Sequence, residues 1–92
     1  MSNKKLLIFT ADWCLPCRFS NYFWQEMVNE GDPIEIIDGD QNRELLIRHK
    51  IDKYPTFILL ENDLPIAKVI GKQDKEFLKG LLYANCDVSV GQ

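Results

Sequence analysis

The sequence predicts a mixed α/β fold in the order β-α-β-α-β-β-α, on three observations. Four short runs rich in apolar residues, at 6–9, 34–37, 57–60 and 66–70, show no helical period. The segments between and after them carry apolar residues at three- and four-residue spacing. The third and fourth runs are separated only by the polar stretch Glu61-Asn62-Asp63-Leu64-Pro65, which is too short to join parallel strands.

The first strand is expected over residues 4–10, where Leu6-Leu7-Ile8-Phe9 is continuous enough to be buried on both faces. Ala11-Asp12-Trp13-Cys14-Leu15-Pro16 breaks that pattern, and a proline is tolerated in the first turn of a helix because its missing N–H would have no partner there. From Cys17 onward Phe19, Tyr22, Phe23 and Met27 recur at helical spacing, with Phe19, Phe23 and Trp24 read as core. Gly31-Asp32-Pro33 ends the helix. Ile34–Ile37 is the second strand, followed by the polar turn Asp38-Gly39-Asp40. Asp40 or Asn42 then caps a second helix bearing Leu45, Leu46 and His49, the histidine belonging to a polar helix end. Tyr54-Pro55-Thr56 opens the third strand, the hairpin at 61–65 leads into the fourth, and Gly71 ends it. A last helix is expected over 74–85, with Phe77, Leu78, Leu81 and Leu82 on one face. The crossover makes strands one and two parallel, the hairpin makes three and four antiparallel, and the three helices flank a four-stranded mixed sheet. Ninety-two residues are expected to form one domain, 1–92.

A net charge of −3, spread along the chain, argues against a nucleic-acid partner, which would want a basic stripe. The apolar run after Lys4-Lys5 is four residues, short of the roughly 7–15 of a secretory leader, and no stretch approaches the ~18 apolar residues of a membrane span. A cytoplasmic location, no membrane association and a monomeric state are therefore expected. Three cysteines, Cys14, Cys17 and Cys86, suit one reactive site better than a secreted disulfide framework.

Cys14-Leu15-Pro16-Cys17 stands where the first strand ends and the first helix begins. The thiolate is the nucleophile in disulfide exchange, and a helix N-terminus favours it through free N–H groups and the helix dipole. Cys14 is expected to cap that terminus as the exposed attacker, with Cys17 one turn in and within reach of the mixed disulfide. Leu15 and Pro16 stiffen the turn between them. Structural zinc takes four ligands, and with only Cys86 and His49 left at unsuitable spacing no metal site is expected. Cys86 itself reads as a packing thiol.

Several segments together resemble the thioredoxin family. Trp13-Cys14-Leu15-Pro16-Cys17 resembles its Trp-Cys-Gly-Pro-Cys, with Leu15 in place of glycine; Asp40-Gln41-Asn42 matches a similar Asp-Gln-Asn; Tyr54-Pro55-Thr56 resembles Ile-Pro-Thr; and Val69-Ile70-Gly71 is similar to its Val-Gly pair. The resemblance implies a minimal thioredoxin fold that starts after the family's first strand and helix. It implies Cys14 as nucleophile, Cys17 as resolving thiol, a cis-proline at Pro55 beside the disulfide, and a partner-binding surface of Trp13, Leu15, Pro16, Tyr54, Pro55 and Gly71. It implies no bound cofactor, the electrons coming from NADPH through thioredoxin reductase and passing to disulfide-containing proteins. It also puts Ile8 where the family buries an aspartate that assists proton transfer to the resolving thiol, Ile36 where that acid has a lysine companion, and Tyr22 where the family's helix carries a kinking proline. Three functions compete: a protein-disulfide reductase of the thioredoxin type, a glutaredoxin-like reductase coupled to glutathione, and a thioredoxin-fold binding subunit with incidental redox activity. The segment Gly71-Lys72-Gln73-Asp74 lacks the Gly-Gly-Cys-Asp-like element of many glutaredoxins.

Overall fold

The computed structural model describes residues 3–84. Its elements are β1 (Lys4–Thr10), α1 (Leu15–Asn29), β2 (Ile34–Asp38), a 3-10 turn (Gly39–Gln41), α2 (Arg43–His49), β3 (Thr56–Glu61), β4 (Leu64–Ile70) and α3 (Lys75–Tyr83). The strands form one sheet in the order β2-β1-β3-β4. β1 runs parallel to β2 and antiparallel to β3, and β3 is antiparallel to β4. This is the expected order and topology. Cys86 and residue 85 of the expected last helix lie outside the described residues.

Alternation along β1 sorts the core into two layers, because successive strand side chains point to opposite faces. Leu6 and Ile8 join Phe57 and Leu59 against α1 and α3, through Cys17, Phe23, Trp24, Met27, Leu78 and Leu82. Leu7 and Phe9 join Ile37, Ile51 and Ile58 on the other face, where Leu45 and Leu46 of α2 cover them. β1 is thus buried on both faces, as its continuous apolar run requires.

Helix ends follow local chemistry. α1 closes in a Schellman turn: Gly31, at φ +94°, supplies the left-handed residue, Asp32 N–H donates to Met27 O at 3.0 Å and Gly31 N–H to Val28 O at 3.0 Å. α3 begins after Asp74, whose carboxylate accepts from Phe77 N–H at 2.8 Å. Asn42 sits at the N-cap of α2 but its side chain makes no capping bond; its amide donates instead to Asp38 O at 2.9 Å, tying the helix to the end of β2. At the other end of α2, the Lys68 ammonium reaches over from β4 to the carbonyls of His49 (3.3 Å) and Lys50 (2.7 Å), where a cation suits the negative helix terminus. His49 is half-buried rather than part of an open polar end: its ring centroid lies 5.7 Å from that of Phe9, and burial, then Arg48 and Lys68, hold its pKa below the usual histidine value.

The hairpin is tighter than expected. Glu61 pairs with Leu64, leaving a two-residue loop in which Asn62 and Asp63 both take positive φ, 53° and 70°. Two positive-φ residues make the loop that matches strand twist, and Asn and Asp tolerate that region best among residues other than glycine. α1 also departs from expectation. It starts at Leu15, and Phe19 and Tyr22 point outward while Ser20 takes a buried position beside Phe23, Trp24 and Met27. In α3 Leu78 and Leu82 are buried, whereas Phe77 is exposed.

α3 is strapped to the end of α1 by charge. Lys75 pairs with Glu26 (3.3 Å) and Glu30 (3.1 Å), and Lys79 pairs with Glu30 and Asp32, each at 3.0 Å. The Tyr83 hydroxyl donates to Asp32. Burial alone would raise the pKa of Asp32, but Tyr83 and Lys79 together hold it below the usual carboxylate value. A depressed carboxylate contributes stability above its unfolded pKa, about 3.9, and loses it as pH falls through the folded value. Asp32→Asn is therefore expected to lower the urea midpoint at pH 7, by up to about 1 kcal/mol of stability. Urea titrations repeated downward from pH 5 should show the two midpoints converging below about pH 4.

Candidate active site

The junction of β1 and α1 builds the site. Ala11 O accepts from Cys14 N–H at 3.1 Å, turning the chain at the strand end, and Cys14 becomes the N-cap residue of α1. Leu15 and Pro16 open the helix, where the proline costs no hydrogen bond. Cys14 Sγ accepts from Cys17 N–H at 3.3 Å, and the two cysteines are joined as a disulfide with Cα atoms 5.3 Å apart. Cys17 is buried at 1% exposure. Cys14 is only 5% exposed, not the open attacker expected, because its sulfur is turned back onto the first helical turn.

Distant segments are brought to this junction. The Trp13 indole N–H donates to the Asp40 carboxylate at 3.0 Å, across 27 residues of sequence. The Trp13 ring meets Tyr54 edge-on at 5.3 Å. Tyr54 in turn lies over Gly39, where a Cβ would come within 2.6 Å of the tyrosine Cζ, so only glycine fits beneath the ring. Burial, then Asp40 and Asp38, raise the Tyr54 phenol pKa above its usual value. The Tyr54–Pro55 bond is cis, Pro55 is fully buried, and Pro55 O accepts from Gly71 N–H at 2.9 Å. Gly71 has φ +98°, a conformation that glycine adopts without strain. Trp13 and Tyr54 thus stand together beside Cys14, Gly71 is hydrogen-bonded to Pro55, and Leu15 and Pro16 are exposed at the head of the helix.

Sequence reading missed the anchoring roles of Asp40 and Gly39. Asp-Gly-Asp after a strand signals a turn, and nothing in it names Trp13 or Tyr54 as the side chains it receives.

A cleft of about 690 Å3 opens beside Cys17, lined by Thr10, Asp12, Arg18 and Asn21 on its polar side and by Ile36 on its apolar side. Ile8 and Ile36 are paired neighbours on β1 and β2. No ionisable group occupies either position.

A cysteine pair joined across the first turn of a helix, flanked by an exposed tryptophan and a cis-proline loop, defines a thiol–disulfide oxidoreductase. The model of the Thioredoxin family matches residues 1–84, and the chain belongs to that family. It is 33% identical over 83 residues to a thioredoxin of Chlamydia pneumoniae, covering 88% of this chain and 81% of that one. A thioredoxin of Staphylococcus epidermidis is 32% identical over 84 residues with the same coverage. Among solved structures, a thioredoxin from Halobacterium salinarum superposes with a TM-score of 0.75 at 31% identity, over 86% of this chain and 71% of that one. The fold is also that of Fasciola hepatica thioredoxin, with a TM-score of 0.77 at 21% identity, over 86% of this chain and 78% of that one. These relatives favour a protein-disulfide reductase of the thioredoxin type over the glutathione-coupled alternative, with disulfide-bearing proteins and a reductase as the general classes of partner. Among the described residues no helix is long and apolar enough to cross a membrane.

Proposed function

We propose that the chain carries reducing equivalents from NADPH, through a thioredoxin reductase, to protein disulfides in the cytosol, where thiols are kept reduced. The observation that carries this reading is the Cys14–Cys17 disulfide at the N-terminus of α1, with Cys14 as the capping residue. In the reduced protein the Cys14 thiolate attacks one sulfur of the substrate disulfide. The substrate S–S bond breaks, and its departing thiolate takes a proton. Cys17 then gives up its proton and attacks the Cys14 sulfur, forming the Cys14–Cys17 disulfide and expelling the second substrate thiolate. Two electrons pass to the substrate, and the reductase returns two to the protein.

Trp13, Leu15, Pro16, Tyr54 and Gly71 are the partner-facing surface in this reading, while Pro55, fully buried, joins Tyr54 to Gly71 through the bond from Gly71 N–H to its carbonyl. The contacts of Trp13 with Asp40 and Tyr54, and of Tyr54 with Gly39, fix the two aromatics in place. With Ile8 and Ile36 where the family would carry acid and lysine, the proton of Cys17 is proposed to leave through solvent in the cleft lined by Thr10, Asp12, Arg18 and Asn21.

The test is a coupled assay. Oxidised protein is mixed with NADPH and either bacterial thioredoxin reductase or glutathione with glutathione reductase, and NADPH loss is followed. Consumption with thioredoxin reductase is the expected result. Consumption with glutathione alone, or with neither system, would overturn the proposed electron source.

A further inference from the structure

We propose that Leu15, Phe19 and Tyr22 form a docking stripe that binds an apolar segment of the protein whose disulfide is reduced. The proposal rests on the disulfide-exchange reading and extends the surface that begins at Leu15 along α1 to Phe19 and Tyr22. Leu15 is 58% exposed, Phe19 65% and Tyr22 69%, and at positions i, i+4 and i+7 of α1 they lie on one face of the helix. A lone exposed apolar side chain is ordinary, but three in one row are not. The row ends in charge: Glu26, the next residue on the same face, is paired with Lys75.

Two observations point to the occupant. The stripe is continuous with the disulfide, since Leu15 follows Cys14 directly and Trp13, 65% exposed, precedes it. Exchange brings a partner sulfur to bonding distance of Cys14, about 2 Å, so a partner chain must already lie at the head of the stripe. From Leu15 to Tyr22 the helix rises only about 10 Å, which an extended segment spans in about three residues. The stripe is also partly ordered before binding. The Tyr22 ring stands edge-on against the buried Phe23, with centroids 5.6 Å apart, so docking on it freezes little side-chain motion. An apolar aromatic row beside a reactive sulfur suits a protein disulfide flanked by Leu or Phe, and offers nothing to the charged ends of a tripeptide thiol.

The experiment uses the reduced full chain and three probes: bis(hydroxyethyl) disulfide, a peptide disulfide with Leu and Phe within four residues on both sides of its cysteine, and the same peptide with Ser at those positions. The wild-type chain is expected to reduce the apolar peptide about tenfold faster than the serine peptide. Phe19→Ser/Tyr22→Ser should lose that preference while keeping the hydroxyethyl disulfide rate, and an unchanged melting curve would confirm that it folds. Equal wild-type rates on the two peptides, or a preference that survives the double substitution, would overturn the stripe as a docking site. So would sedimentation showing a wild-type dimer that the double variant cannot form, which would assign the row to a second copy of the chain. A wild-type chain inert to all three disulfides would remove the exchange reading itself, and the stripe with it.

Discussion

Cys14→Ser is expected to bring turnover of protein disulfides to background in the coupled NADPH assay, and Cys17→Ser to do the same by a different route. A serine hydroxyl at the N-cap keeps the helix-capping bond but supplies no thiolate, so no mixed disulfide forms. Without Cys17, attack by Cys14 proceeds once and stops. A covalent adduct of chain and substrate should then accumulate on non-reducing gels and dissolve with added dithiol. The contrast between no adduct and a stalled adduct assigns attacker and resolver separately. Adducts in the Cys14→Ser chain would reverse the assignment. A double Cys14→Ser/Cys17→Ser chain that still supports the cellular role would favour the binding-subunit reading, since the fold would then serve without its dithiol.

Trp24→Ala is the substitution with the largest expected cost to stability. Trp24 is fully buried and packs edge-on against Phe23 and Phe57, with centroids 6.3 and 6.0 Å away. Removing such a ring leaves a cavity and costs about 3–5 kcal/mol, a large share of the ~5–15 kcal/mol available to a domain. The indole N–H finds no hydrogen-bond partner among the described residues. Trp24→Phe discards that orphaned donor, whose burial costs about 1–3 kcal/mol, while keeping most of the packing. The urea midpoint should therefore drop steeply for alanine and much less for phenylalanine. Equal drops would show that the N–H is satisfied and that the site depends on indole shape.

The outline of the fold was legible because β1 is apolar without a period and the segment after Pro16 is apolar with one. Those two signals place Cys14-Leu15-Pro16-Cys17 at a strand–helix junction, and the chemistry follows from that place. The orientation of α1 was harder to read. Phe19, Tyr22, Phe23 and Met27 fit a single helical period, yet the helix buries Phe23 and Met27 with Ser20 and turns Phe19 and Tyr22 to solvent. A helix with apolar residues on two faces does not reveal which one the sheet will take. The bond from Trp13 to Asp40 and the seat of Tyr54 on Gly39 depend on β2 returning beside β1, a tertiary event that leaves no mark in local pattern.

The two margins of the sheet bear on how the molecule keeps its own company. An outermost strand with free N–H and C=O groups is a template on which another chain can add, the first step toward cross-β assembly. Among the described residues β4 is such a strand, and its exposed Leu64, Ile66 and Ile70 would make the addition favourable. It carries Pro65, which has no N–H to offer, and a shift of register opposite Leu59 and Leu60 that breaks the even ladder. β2, at the opposite margin, is only five residues long. One border is interrupted and the other is short, so the sheet that presents the cysteine pair is a poor seed for its own polymer.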